Sequence, residues 1–446
     1  MPPRAPAKKP PRHPPAQAQV RIDRIGSEGD GIARLPDATP LYLPFTLPGE
    51  TVSARPIQPR ADGWHAHAET IANPSEARVT PPCRHFGRCG GCVLQHWRDA
   101  EYRTWKSALL SHALRQAGAT LPDPLPFVPG LPGERRRIDF AVRRTSGGHP
   151  IGGHIILGLH EPRSAEVIDI TDCPILHPTL LALLPRLRTL LQGLHAIRRE
   201  ASVIINLLGS GPDLLLRTDT PLTTGDRTAL TEFARDHGLP RVSQAEGNDT
   251  PETIALLRPP ITTLSGTAVR PPPGAFLQAT AAGERAIIEA VLHALPSKIT
   301  TKTRIAELYA GCGTLTFALA PHVRVAAFEG DTATAAALKQ AINQGGLAGR
   351  VEAFQRDLAR QPLSAKELKA FVAVVLDPPH NGAAAQIAQI AAAAVPTVIA
   401  VSCNPATLTR DARTLLGAGY KLQAATAIDQ FLWSARLESV SVFKRG

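Results

Sequence analysis

From Gly274 onward, short apolar runs alternate with alanine-rich helical stretches, and this alternation constrains the fold more than any other feature of the chain. The order is AFLQATAAGERAIIEAVLHAL, RIAELYAG, a helix, VRVAAFEGD, a helix, VEAFQRD, FVAVVLDPP, a helix, TVIAVSCNP, a helix, a strand and ESVSVFK. Buried strands separated by helices predict a doubly wound, mostly parallel α/β sheet of Rossmann-like type. Sheets of this kind bind ligands outside the carboxyl ends of their strands, so the motifs that end each run are the candidate site.

The 446 residues leave room for about two further domains. Residues 1–18 form a proline-rich basic stretch that reads as a disordered tail. Residues 19–74 carry short alternating runs (VRIDRIG, GIARLP, TPLYLPF, GETVSARPI) split by Gly, Pro and Asp, which predicts a small antiparallel β-barrel. Residues 75–270 read as a central α+β domain, with helices over Asp99–Ala117, Pro178–Leu194 and Thr224–His237 and strands in RRRIDFAVRR, IILGLHE, SVIINLL and DLLLRT. Residues 271–446 hold the α/β sheet. No run of about 18 apolar residues predicts a membrane helix, and the N-terminus lacks the apolar core of a secretory signal. With six cysteines, this favours a reducing, cytoplasmic setting. No obligate protein partner is evident, and a monomer is expected. The formal charge of +11 favours a polyanionic partner, and RRRID at Arg135–Asp139 reads as a phosphate contact or a solvated strand edge.

CRHFGRCGGC places Cys83, Cys89 and Cys92 around a glycine pair. Close thiols of this kind form part of a soft-metal site rather than a disulfide framework, and they need a fourth ligand from elsewhere. Zinc and an iron–sulfur cluster both suit thiolates.

The strand-end motifs carry the chemistry. ELYAGCGT makes a glycine turn after the first strand of the sheet, with Gly311 and Gly313 too few for a dinucleotide fingerprint. Glu329 ends the next strand, where a carboxylate accepts from ribose hydroxyls, and Asp357 ends the third. That series suits S-adenosylmethionine better than NAD. DPPH at Asp377–His380 is a rigid loop of the sort that clamps a target amine in amino-group methyltransferases. SCNPATLTRD sets Cys403 at a strand end before a new helix, where a thiolate is a good nucleophile. Carbon 5 of uracil is a poor nucleophile until a thiolate adds to carbon 6, which gives such a thiol a task. A base must then remove the carbon 5 proton, and Glu438, in the otherwise apolar LESVSVF, is the candidate.

These motifs, together with FLQAT and the later DCPIL, resemble the RNA uracil-C5 methyltransferases, which make 5-methyluridine in ribosomal or transfer RNA. The resemblance runs from about Gln19 to the last strand. It implies a TRAM-type (OB-like) barrel and a [4Fe-4S] cluster on Cys83, Cys89, Cys92 and Cys173. It further implies S-adenosyl-L-methionine contacts at Gln278, Tyr309, Glu329 and Asp377, with Thr314 and Asp357 as further candidates, the nucleophile Cys403 and the base Glu438. The barrel and the long central domain favour 23S ribosomal RNA over transfer RNA as the target. Three positions depart from the family pattern: Thr280 for Asn, His380 for Arg and Arg436 for His. They bear on the target nucleotide more than on the reaction. Two other readings stand beside it: a methyltransferase acting on an exocyclic amine of RNA, which leaves Cys403 idle, and a non-catalytic RNA-binding protein.

Overall fold

The computed structural model describes residues 16–121, 124–145 and 153–445. The chain divides into two compact units, one of residues 1–109 with Trp433–Arg436, the other of Leu110–Leu432 with Leu437–Gly446. The basic tail reading falls outside the described residues except at its end, where Ala18 already opens the first strand.

In the first unit the strands are β1 (Ala18–Arg21), β2 (Arg24–Ile25), β3 (Gly31–Arg34), β4 (Pro40–Leu43), β5 (Thr51–Arg60) and β6 (Gly63–Asn73). They form one sheet in the order β1-β5-β6-β4-β3-β2. The expected all-antiparallel pairing fails at one place, because β4 runs parallel to β6. Alternate residues Val20, Leu41, Leu43, Val52, Ala54 and Ala66 turn inward to make its core, as period-two strands require. Helix α1 (Asp99–Ala117) follows the cysteine loop and leads into the second unit.

The second unit holds β7 (Phe127–Val128), then β8 (Arg137–Arg144), β9 (Ile155–His160), β10 (Val167–Asp169), α2 (Pro178–Gly193), β11 (Glu200–Leu208), β12 (Gly211–Thr218), α3 (Thr224–Asp236), β13 (Arg241–Glu246) and β14 (Glu252–Leu256). Strands β8 to β14 make a seven-stranded sheet in the order β10-β9-β8-β11-β12-β13-β14. Helix α2 begins on proline and buries a leucine stripe at Leu180, Leu183, Leu184, Leu187 and Leu191. A hairpin of β15 (Thr262–Leu264) and β16 (Thr267–Val269) then leads into the last part.

That part contains α4 (Ala281–His293), β17 (Arg304–Leu308), α5 (Thr314–Leu319), β18 (Arg324–Glu329), α6 (Thr332–Gln344), β19 (Val351–Gln355), α7 (Ala365–Leu368), β20 (Ala373–Leu376), α8 (Ala384–Ala393), β21 (Thr397–Ser402), α9 (Pro405–Gly417), β22 (Tyr420–Ile428) and β23 (Glu438–Arg445). The sheet order is β19-β18-β17-β20-β21-β23-β22-β7. Strands β19, β18, β17, β20 and β21 are parallel, while β23 runs antiparallel between β21 and β22. The order reverses between β17 and β20, which is where a doubly wound sheet opens a binding crevice. A second proline-rich stretch, ahead of RRRID, contributes β7, which pairs with β22 at the sheet edge. No helix among the described residues is long and apolar enough to cross a membrane.

Candidate active site

The crevice is built from strand ends. Tyr309 follows β17 in a left-handed conformation (φ 63°), and Gly311 and Gly313 continue the turn at φ 57° and 100°. Gly313 is obligatory on two grounds, since a Cβ there would lie 2.4 Å from the Phe317 ring and 2.8 Å from Leu338. At Gly311 a Cβ would meet nothing within 4 Å, so the turn presents open space to the crevice. Glu329 ends β18 and braces this turn: its Oε2 accepts from Gly311 N at 2.8 Å and its Oε1 from Asp331 N at 2.8 Å. Each oxygen keeps a lone pair for a further donor. Asp357 is turned to its own loop, accepting from Ala359 N and Arg360 N, and is better described as a local cap. Cys312, inside the turn, is buried and its thiol is pushed up to about 12 by that burial.

Across the switch point, Asp377 follows β20. Its Oδ2 accepts from Gln278 Nε2 at 3.1 Å. Burial pushes the carboxyl up to about 6, against the opposing pull of the Gln278 amide. Gln278 lies before α4, and its Oε1 accepts from Gln430 Nε2 at 2.9 Å. The same Gln430 nitrogen donates to Glu438 Oε2 at 2.7 Å. A single hydrogen-bonded chain thus runs from Asp377 through two amides to Glu438. Glu438 is 3% exposed, and its Oε1 has no hydrogen-bond partner among the described residues. Burial, followed by the negative charge of Asp377, raises its pKa well above the ordinary carboxylate range.

Cys403 follows β21 and is half-buried. Strands β21 and β23 pair Ser402 with Ser439, and Ser439 Oγ donates to the Ser402 carbonyl at 3.1 Å. Cys403 comes just after the last pair on β21 and Glu438 just before it on β23, so both stand at the same end of the strand pair. Asn404 then caps α9 by accepting from Ala406 N at 3.0 Å, with Pro405 in the first helical position. Its Nδ2 donates to the His380 carbonyl at 3.1 Å, which ties the SCNP turn to the DPPH loop.

Two features of the site carried no sequence signal. Gln430 stands in no recognisable motif, yet it joins Gln278 to Glu438. Arg136, in the run read as a phosphate contact or solvated edge, has internal partners. Its Nε donates to the Gln278 carbonyl at 3.0 Å, and its Nη2 pairs with Glu284 Oε2 at 2.5 Å. Arg137 lies with its guanidinium 5.5 Å from the Phe276 ring centroid, and burial lowers its pKa. The arginine run is an internal brace for FLQAT.

Of the four candidate ligands, Cys83, Cys89 and Cys92 belong to the first unit and Cys173 to the second. No three His, Cys, Asp or Glu side chains among the described residues form a group that could hold a metal ion, and no disulfide links the six cysteines. In the first unit, Gly91 N donates to Cys89 Sγ at 3.4 Å and Cys89 N donates to the His85 carbonyl. Burial raises the Cys89 thiol, so its neutral form is favoured. Thiols that ligate a metal lose their protons as it binds, so the metal itself gathers its ligands.

A family model described as tRNA (Uracil-5-)-methyltransferase matches residues 267–445. An RNA methyltransferase of Mesorhizobium japonicum is 38% identical over 428 residues, covering 96% of this chain and 98% of its own length. The chain belongs to the RNA uracil-C5 methyltransferase family. Within this family, the 23S rRNA (uracil(1939)-C(5))-methyltransferase RlmD of Chromohalobacter salexigens is 33% identical, covering 96% of this chain and 89% of the relative. The crystal structure of the Pyrococcus abyssi tRNA (uracil-54, C5)-methyltransferase, in complex with S-adenosyl-L-homocysteine, superposes with a TM-score of 0.69 over 95% of this chain and 99% of that one, at 18% identity. That likeness shows the fold, and the family assignment makes the chain an RNA methyltransferase.

Proposed function

We propose that this enzyme methylates carbon 5 of a uridine in RNA through a covalent adduct to Cys403, with S-adenosyl-L-methionine as methyl donor. The observation that carries the reading is the β21–β23 register, whose last pair, Ser402 with Ser439, leaves a thiol just past the end of one strand and a buried carboxylate with one unengaged oxygen at the start of the other. An amine methyltransferase has no use for that pair, and a non-catalytic binder has no use for either residue.

Tyr309, Glu329, Gln278 and Asp377 suit the donor. The glycine turn is open, Glu329 retains acceptor capacity, and Asp377 is a partly buried acid facing the crevice from the switch point. When bound, S-adenosyl-L-methionine would supply an electrophilic methyl on a sulfonium, whose sulfur keeps the bonding pair and leaves as a neutral thioether. Cys403 adds to carbon 6 of the uracil, pushing electron density to carbon 5, which takes the methyl group. Glu438 Oε1 then accepts the carbon 5 proton, the 5,6 double bond re-forms and the Cys403 thiolate leaves. Both ring faces must be reached, so the target base leaves its stack.

Ribosomal RNA is the preferred target in this reading, in keeping with the Chromohalobacter relative, and transfer RNA is the other candidate. The further parts of the reading are a TRAM-type barrel over 19–74, a central domain over 75–270, a methyltransferase domain over 271–446, and a monomer working in a reducing compartment. The [4Fe-4S] assignment to Cys83, Cys89, Cys92 and Cys173 rests on the resemblance, and no step is routed through it. Iron and sulfide assays on anaerobically purified protein decide it: about four of each per chain supports the cluster, and stoichiometric zinc or no metal refutes it.

The test of the reaction is incubation with RNA containing 5-fluorouridine and labelled donor. A covalent protein–RNA band carrying the label should survive denaturing electrophoresis and vanish in Cys403→Ala. Near-normal turnover by Cys403→Ala refutes the thiol mechanism.

A further inference from the structure

The loop between β22 and β23 carries a glutamine that the proposed reaction does not use. Gln430 is 4% exposed, and its amide oxygen and both its N–H groups are engaged. Its Oε1 accepts from Ala279 N at 3.0 Å, and its two N–H bonds serve Gln278 Oε1 at 2.9 Å and Glu438 Oε2 at 2.7 Å. Only one orientation of the amide satisfies this set. Turned over, it would set its carbonyl against the Glu438 carboxylate and its NH2 against the Ala279 N–H.

The orientation propagates. Because Gln278 Oε1 accepts from Gln430, Gln278 Nε2 faces Asp377 and donates to it. The two acids therefore each receive one amide N–H on one oxygen. Glu438 Oε1 is left bare and buried, a costly state that persists only where the surroundings hold it.

A second observation comes from α4. Gly283, in its first turn, has no conformational need for glycine, since its φ is not positive. A Cβ there would instead lie 2.6 Å from Gln430 Cβ and 2.9 Å from Thr280 Oγ1. The space taken by the Gln430 side chain is kept clear by a missing methyl group.

We propose that Gln430 is a positioning residue that locks the Glu438 carboxylate to the Gln278 amide, and that Gly283 is the residue that makes room for it. The proposal rests on the reading of Glu438 as the base and Gln278 as a contact to the methyl donor. It assigns the two ends of the reaction, donor binding and proton removal, to one amide.

Three variants test it. Gln430→Met keeps the length and removes both donors. Gln430→Glu keeps the acceptor for Ala279 N but sets a second acid against Glu438. Gly283→Ala alters no polar group and displaces Gln430 sterically. Two quantities are measured per folded molecule, with the folded fraction taken from circular dichroism: the calorimetric Kd for S-adenosyl-L-methionine, and the amount of methylated covalent complex on ordinary RNA. The Kd should rise by up to about tenfold, the equivalent of one lost neutral hydrogen bond. The trapped complex should build up at least about tenfold as elimination slows. Gly283→Ala should move both in the same direction by less, and it carries the test if the Gln430 variants do not fold. A lowered melting temperature with both quantities within about twofold of wild type would mean that Gln430 is only a core residue, and would overturn the proposal. Absence of any trapped complex from wild type on 5-fluorouridine RNA would overturn the covalent reaction, and the Glu438 half with it. The Kd shift then decides the Gln278 half by itself.

Discussion

Glu438 holds one oxygen to Gln430 and keeps the other bare, and burial lifts its pKa well above the usual carboxylate range. A base must be ionised to accept a proton, so the elimination step should quicken as pH rises through that raised value. Single-turnover release of product, followed from about pH 5 to 9, should show this rising limb. In Glu438→Gln the limb should disappear and the methylated covalent complex should accumulate. If Glu438→Gln keeps both the limb and normal release, the base lies elsewhere. Asp377 gives a second, independent reading. Its carboxyl sits at about 6 because it is buried, and a sulfonium cation beside it would favour the ionised form. Binding of S-adenosyl-L-methionine near pH 6 should therefore release a proton, seen as a heat that scales with buffer ionisation enthalpy and is lost in Asp377→Asn. The departure at Thr280 has a local explanation at this scale. Its Oγ1 accepts from Gly283 N at 2.9 Å and caps α4, a task that Thr and Asn both perform.

Strand β17 carries an acid within an otherwise apolar run, Glu307, which takes a bond from Thr316 Oγ1 at 2.6 Å. Burial pushes it up to about 8 from an ordinary 4.5. Below the ordinary value both folded and unfolded chains hold the proton; between the two values only the folded chain does. Stability should thus fall as pH rises through that window, by up to about 1.4 kcal/mol per pH unit. Denaturant midpoints of the ligand-free protein at several pH values should show the slope, and Glu307→Gln should flatten it. Helix α9 makes a different prediction. Asn404→Ala removes both the cap and the tie to the His380 carbonyl, which should cost about 1 kcal/mol and loosen the DPPH loop. Faster hydrogen exchange at Ala406 would report it. The elements also show what could be read from sequence. Helix α2, with its leucine stripe, and the β17–β21 alternation were legible because apolar periodicity over a long window is a strong signal. The site motifs were legible because they end strands whose carboxyl ends must converge. The antiparallel insertion of β23 was not, because a buried apolar strand reads the same in either direction. Nor was β7, two residues in a proline-rich stretch whose strand partner among the described residues, β22, lies some three hundred residues on. Gln430 and Arg136 escaped for a related reason: a long-range hydrogen bond leaves no periodicity, and a basic run reads as surface until its partners, the Gln278 carbonyl and Glu284, are known.

At the scale of the whole molecule, the first unit is secured by one buried acid. Glu50 accepts from Leu47 N, Ser75 N and Arg78, whose Nε and Nη2 lie at 2.7 and 2.8 Å. Burial would raise its pKa, but the Arg78 and backbone bonds outweigh it and the pKa falls below the ordinary value. Its contribution is present above the ordinary carboxylate range and lost as pH falls through the lower folded value. Glu50→Ala should cost about 3 kcal/mol, since it strands a half-buried guanidinium and two backbone donors. Hydrogen exchange should quicken across β1 to β6 and leave β17 to β21 as they were. The first unit also draws on residues far along the chain, because Val93 N and Leu94 N donate to the Trp433 carbonyl and Tyr102 Oη accepts from Trp433 N. On the ribosome, Val93 emerges tens of seconds before its partner, at roughly 5–20 residues per second. A nascent chain interrupted anywhere in that interval lacks the Trp433 clasp and Glu438 alike, so a translation product cut short before Trp433 is incomplete in both units at once and open to proteolytic clearance before it can occupy an RNA.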